Sequence, residues 1–253
     1  MAQEEFLDDP MPDVIEQWRY YFSLLLPQAD DLILDVGCNT AEAERLLLRE
    51  HPKIGKVIGL ENDPKRYDYA LSKLQKDGNP AQIELILGDG LGLPFSDDDF
   101  DRAFCVDVLE WVKEPAKALQ EIHRVLKPTG TAVIVHSDFD TQVFSCDDKE
   151  LCRRIVHAFT DSGPNGQLGR ELYRLCSLAS FYSIRPMIYS LINTEWLLNL
   201  YGYKAAQMMV EWLTKTKSVA EIDLARWLSD LEAQGEKGSF FYSINRNIYV
   251  CIK

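Results

Sequence analysis

Apolar residues recur at three- and four-residue steps from Pro12 to Leu26, where Val14, Trp18, Tyr21, Phe22 and Leu25 share one face, and this spacing predicts an amphipathic helix. Pro27 and the Asp30-Asp31 pair close it. The run Leu32-Ile33-Leu34-Asp35-Val36 does not alternate, which is the signature of a strand buried on both faces in a parallel sheet. Similar runs at 56–61, 83–87, 100–106 and 131–136 predict four more strands. Helix formers dominate 41–50, 64–77 and 115–126. Pro64 and Pro115 stand at helix starts, and Pro52 and Gly78 at helix ends. Strands alternating with helices require right-handed crossovers, so the pattern predicts an α/β fold with a doubly wound, mostly parallel sheet.

Beyond Ser137 the alternation is lost, because Gly163, Pro164, Gly166 and Gly169 interrupt a mostly helical stretch that reads as a cap. Two late β-like runs, 181–190 and 240–252, are separated by helical segments at 194–214 and 219–233 and are suited to complete the sheet. No internal repeat is present. The chain therefore reads as one domain, 1–253: a helical N-terminal lid at 12–30, a ligand-binding core at 31–136, and cap helices with the last two strands at 137–253.

Composition narrows the setting. With 253 residues and 46% hydrophobic content the chain can bury one substantial core. Its longest apolar runs fall far short of the ~20 residues of a membrane-spanning helix, so no span is expected. The acidic opening from Met1 to Pro10 lacks the zones of a signal peptide, and a cytoplasmic protein is expected. Six cysteines, with no Cys-x-x-Cys pair or zinc spacing, read as reduced thiols, and no metal site is expected. A net charge of -13 opposes a phosphate backbone, which makes nucleic acid an unlikely partner and a small molecule the expected one.

The chemistry gathers at predicted strand ends. Strand one runs through Asp35-Val36-Gly37-Cys38-Asn39-Thr40-Ala41 into a helix, and ligands of doubly wound sheets bind outside such carboxyl ends. One glycine stands where a dinucleotide fingerprint has three, so that motif fails. Strand two ends at Glu61-Asn62, which places a carboxylate where a ribose acid is usual. Strand three ends at Gly88-Asp89-Gly90: glycines admit a planar base, and Asp89 offers an acceptor to an exocyclic amine.

On these residues the chain resembles the class I S-adenosylmethionine-dependent methyltransferases, in the ubiquinone/menaquinone methyltransferase branch (methyltransferase type 11). The likeness runs from Leu32 to Ile134. It rests on Leu34–Cys38, on Gly88-Asp89-Gly90 with Leu93-Pro94-Phe95, on Val106-Asp107-Val108-Leu109-Glu110-Trp111, and on the segment from Ala118 to Gly130. The resemblance implies a Rossmann-like sheet of seven strands, the last antiparallel, and S-adenosylmethionine as cofactor. It also implies Asp35 and Gly37 near the methionine part, Glu61 and Asn62 at the ribose, Asp89 and Gly90 at adenine, and Val106 beside the sulfonium, with Asp107 and Trp111 lining the pocket. The chain departs from the family at Asn39 and Ala41, where glycines are common; Asn39 tolerates positive φ better than most residues.

The function so implied is methyl transfer to a small-molecule acceptor, with secondary metabolism as one setting. The sulfonium carries the electrophile, and the protein aligns donor and acceptor. His136, at the end of strand five, and Asp138 are the candidate acid–base pair, His136 being alternatively a structural imidazole. Trp18, Tyr20 and Tyr21 read either as a lid or as core. Two other functions stay open: a noncatalytic subunit binding S-adenosylmethionine or S-adenosylhomocysteine through a degenerate turn, and a nicotinamide-dependent dehydrogenase, which the missing glycines weaken.

Overall fold

A computed structural model describes residues 11–253, and the acidic segment before them lies outside the described residues. The elements follow one another as α1 (Pro12–Leu25), β1 (Leu32–Val36), α2 (Glu42–Glu50), β2 (Lys56–Glu61), α3 (Pro64–Lys76), β3 (Ile83–Leu87), β4 (Phe100–Val106), α4 (Pro115–Val125), β5 (Leu126–Phe144), α5 (Lys149–Ser162), α6 (Leu172–Leu178), β6 (Ser183–Asn193), α7 (Tyr201–Thr216), α8 (Glu221–Glu236) and β7 (Tyr242–Ile252). The strands form one sheet in the order β3-β2-β1-β4-β5-β7-β6. From β3 to β5 the neighbours are parallel.

β7 runs against both of its neighbours. Partners of β5 fall in number as β5 advances: Thr129 and Gly130 bond the backbone of Lys253, Thr141 Oγ1 accepts from the Asn245 N–H, and the Ser145 N–H donates to Phe241. Against β6, the Tyr182 N–H donates to Ile252, while Ser190 meets Asn245. The architecture is the expected α/β doubly wound sheet with one reversed strand.

The chain divides into two compact units. One contains residues 18–136, 171–187 and 248–253. Its core is the non-alternating strands, with Ile33, Leu34, Val57, Phe104, Val133 and Ile134 all buried, because parallel strands carry helices on both faces. Tyr21, Phe22 and Leu25 of α1 belong to this core, and Trp18 and Phe22 both pack edge-on to Phe104. Arg102 on β4 fixes the end of α1 by donating to the Leu25 carbonyl at 2.9 Å and pairing with Asp31.

The other unit comprises 137–170 and 188–247, together with 11–17. Its core joins α5, α7 and α8 around Phe139, Phe144, Phe159, Met209, Trp227 and Tyr242. Asp13 ties its first helical residues down by accepting from Asn193 Nδ2 at 2.8 Å and from the Tyr201 N–H at 2.9 Å. Cys146 and Cys152 face each other across the turn before α5 with their Cα atoms 6.4 Å apart, while the other four cysteines are free and buried. No helix among the described residues is long and apolar enough to cross a membrane.

Candidate active site

Strands β3, β2, β1 and β4 are parallel neighbours, so their carboxyl ends form one rim. Strand order reverses between β1 and β4, and a crevice opens at such a switch point. Gly37 stands on one side of it with φ +90, and a Cβ at that position would collide with Val108, two residues beyond the end of β4. The site therefore needs glycine there for two separate reasons, a left-handed backbone and a lack of space.

The turn that follows is pinned by β2. The Gly37 and Cys38 N–H groups both donate to the Leu60 carbonyl, at 2.8 and 3.0 Å. Asn39 adopts φ 51 and Ala41 φ 58, so both departures from glycine keep the left-handed backbone that glycine would supply. Glu61, buried at the end of β2, accepts from the Asn39 N–H on Oε2 at 2.9 Å, and from the Asn62 and Asp63 N–H groups on Oε1 at 3.0 and 2.8 Å. A carboxylate has about four lone-pair directions, so three bonds leave one, on Oε2.

Around this buried acid the rim is open. Asn39, Asn62, Asp89 and Trp111 are exposed, and Gly37, Gly90, Val106 and Asp107 are half-buried. Asp89, itself exposed, caps its own turn by accepting from the Leu91 N–H on Oδ1 at 2.9 Å, and an added Cβ at Gly90 would press on Val36. Asp107 takes φ 56 and donates its N–H to Val135. The structure thus gathers Asp35, Gly37, Asn39, Glu61, Asn62, Asp89, Gly90, Val106, Asp107 and Trp111 along four adjacent strand ends. A cavity of about 280 Å³ lined by Pro27, Gln28, His51 and Ile54 precedes β1 and β2, at the opposite end of these strands.

Residues 34–134 match the family model described as a methyltransferase domain. Over this stretch the chain is similar to methyltransferase domains. The demethylmenaquinone methyltransferase of Lactobacillus johnsonii is 34% identical over 125 residues, 49% of this chain and 51% of that protein. Among solved structures, the YcgJ protein from Bacillus subtilis superposes with a TM-score of 0.65 at 17% identity, covering 94% of this chain and 98% of that one. Haemonchus contortus phosphoethanolamine N-methyltransferase 2, solved in complex with S-adenosyl-L-methionine, gives a TM-score of 0.59 at 16% identity over 94% of this chain and 52% of that one. The chain spans about half the length of the curated relatives it matches. At these identities the two solved structures speak for the fold, the Rossmann-like sheet read from the sequence.

His136, just beyond the matched stretch, is wholly buried, and the carboxylate facing it is that of Glu110, with Nδ1 and Oε1 4.0 Å apart and both side chains closed to solvent. Asp138 belongs to the other unit, where Arg170 bridges it at 2.9 Å and Asp140 at 2.8 Å. Sequence reasoning overlooked Glu110 and also Glu44, a buried carboxylate in the first turn of α2. The signal for Glu44 existed: it lies three residues before Leu47 and one after Ala43, on the buried face of an otherwise charged helix. Among the described residues no group of three or more metal-ligating side chains is found.

Proposed function

We propose that the chain transfers a methyl group from S-adenosylmethionine to a small-molecule acceptor, of the kind methylated in secondary metabolism. The observation that carries this reading is the switch-point crevice, where Gly37 must lack a Cβ beside Val108 and the adjoining turn is tied to the buried Glu61. A ligand with a ribose and a planar base suits that rim, which offers Oε2 of Glu61 and the exposed Asn62 toward the hydroxyls and Asp89 with Gly90 toward an exocyclic amine. Asp35 and Gly37 would flank the methionine part with Asn39 at its border, Val106 would stand beside the sulfonium, and Asp107 and Trp111 would wall the pocket. When bound, the cofactor supplies the electrophilic methyl carbon. The chain orients donor and acceptor in line and excludes water, which accounts for most of what such a displacement needs.

His136 is proposed as the group that takes a proton from the acceptor, with Glu110 steadying its Nδ1 side and Asp138 held by Arg170 at the start of the cap. Its complete burial supports a second reading, a structural imidazole, and turnover separates the two. If it is the base, His136→Ala lowers turnover across pH and leaves cofactor affinity close to the parent's.

The deciding experiment is isothermal titration of the full chain with S-adenosylmethionine and with S-adenosylhomocysteine. Micromolar binding of both is expected and opens the way to an acceptor screen. A folded protein that binds neither, or that binds a nicotinamide dinucleotide instead, overturns the proposal. Binding of both with no transfer to any acceptor in a broad screen would favour the noncatalytic binding subunit.

A further inference from the structure

Behind the Gly37 turn lies a group of acids that the proposed reaction does not use. Glu44 is fully buried, and its carboxyl meets its own backbone N–H, the Cys38 thiol and the Asp35 carboxyl. It rests over Gly59 of β2, where an added Cβ would collide with both Glu44 and Cys38, and Gly59 is the register partner of Asp35 on β1. The groups facing the pair are Cys38 from the turn, Glu61 from β2 and Cys105 from β4, every one an acid or a thiol. Among the described residues no Lys, Arg or His stands among the groups that shift them, and two buried carboxylates in contact do not both ionise without a cation beside them. Burial, followed by the charge of Glu44, pushes the Asp35 carboxyl up, and burial likewise raises Glu44.

We propose that Asp35 and Glu44 share one proton in the free protein and release it to solvent when a cationic ligand, S-adenosylmethionine on the reading above, docks at the Gly37 turn. One O–H bond breaks, its proton passes to the buffer, and the ligand's positive charge takes the place of the proton's beside Asp35. The shared proton bridges the two carboxyls and adds to the bonds Glu44 receives from its own N–H and from the Cys38 thiol. Glu44 is thus a positioning residue acting through Asp35, and it makes the occupancy of the site depend on pH.

The test is titration calorimetry of the full chain with S-adenosylmethionine at one pH in two buffers of different ionisation enthalpy, repeated across neutral pH. The expected result is a buffer-dependent heat equivalent to as much as one proton released per ligand bound, with affinity rising up to tenfold per pH unit over that range. Glu44→Gln, which keeps the shape and gives Asp35 a permanent N–H donor, is expected to bind with a buffer-independent heat and a flat pH profile. Infrared difference spectra provide a readout that needs no variant: a protonated-carboxyl C=O band of the free protein should vanish on ligand addition. Binding without proton release and without loss of that band overturns the proton-sharing pair and leaves the cofactor reading intact. Absence of binding in every buffer overturns both.

Discussion

Position 41 shows what a single residue does to the turn. Ala41 occupies a left-handed conformation at the N-cap of α2 with no side-chain cap of its own, a backbone that costs a residue with a Cβ about 1–2 kcal/mol. Replacing it by glycine relieves that strain at some cost in unfolded-chain entropy, so Ala41→Gly should stabilise the protein by about 0.5–1 kcal/mol, read as a rise in the urea midpoint. The reverse applies at Gly37, where Gly37→Ala adds strain at φ +90 and a collision with Val108. A loss of more than about 2 kcal/mol is expected, together with loss of cofactor binding by whatever folded protein remains. An unchanged midpoint in either variant would contradict the backbone geometry. Asp35, Gly37, Glu61 and Asp89 were legible in the sequence because each stands at the end of a recognisable strand. Glu110 was not, and Glu44 could be read as buried from its place on the apolar face of α2 but not as the neighbour of Asp35, since a glutamate gives no sign in sequence of which groups its carboxyl will meet.

At the scale of elements, α4 holds the loop between β3 and β4 in place. Arg124 donates to the Leu93 and Phe95 carbonyls at 3.0 and 2.8 Å and pairs with Asp97 and Glu121, while Glu121 accepts from the Leu93 N–H at 2.8 Å. Arg124→Ala should therefore loosen the loop that begins at Gly88-Asp89-Gly90, with amide exchange speeding up at 91–97 and staying slow in β1 and β2. A uniform change along the chain would mean that the clamp is not local. The parallel strands were readable because burial leaves short runs rich in apolar residues between helical segments, even where Glu84 or Asp101-Arg102 interrupts them, and β1 to β4 fall on the expected residues. β5 was underestimated: 131–136 was expected, yet it extends from Leu126 to Phe144. Pro128, Thr129 and Gly130 carry turn chemistry, and Ser137, Asp138 and Asp140 break the apolar run, but backbone pairing with β7 overrides both local signals. The same pairing carries β6 to Asn193, beyond the expected 190, and α7 starts only at Tyr201.

The whole molecule feels the buried acids through its pH dependence. A carboxyl whose folded value is raised stabilises the protein fully below its unfolded value, and that stability drains away as pH climbs through the folded value. For Asp35 and Glu44 the loss lies above the ordinary carboxylate range, with a slope of about 1.4 kcal/mol per pH unit for each proton involved. Glu121 has the opposite sign: its hydrogen bonds to Arg124 lower it, so its contribution is lost as pH falls below the carboxylate range. The free protein should melt highest in mild acid and lose thermal stability through neutrality. Glu44→Gln should flatten the alkaline side of that profile; an equally steep fall in the variant would mean that other groups set it. The reversed seventh strand has a further consequence, in time rather than in space. β7 lies between β5 and β6 but is synthesised after both, so on the ribosome β6 has no sheet partner until β7, which begins at Tyr242, emerges. The parallel strands β1 to β4 can pair in the order in which they are made, whereas β6 waits as an unpaired edge, open to pairing with other chains, while the residues from 194 to 241 are added.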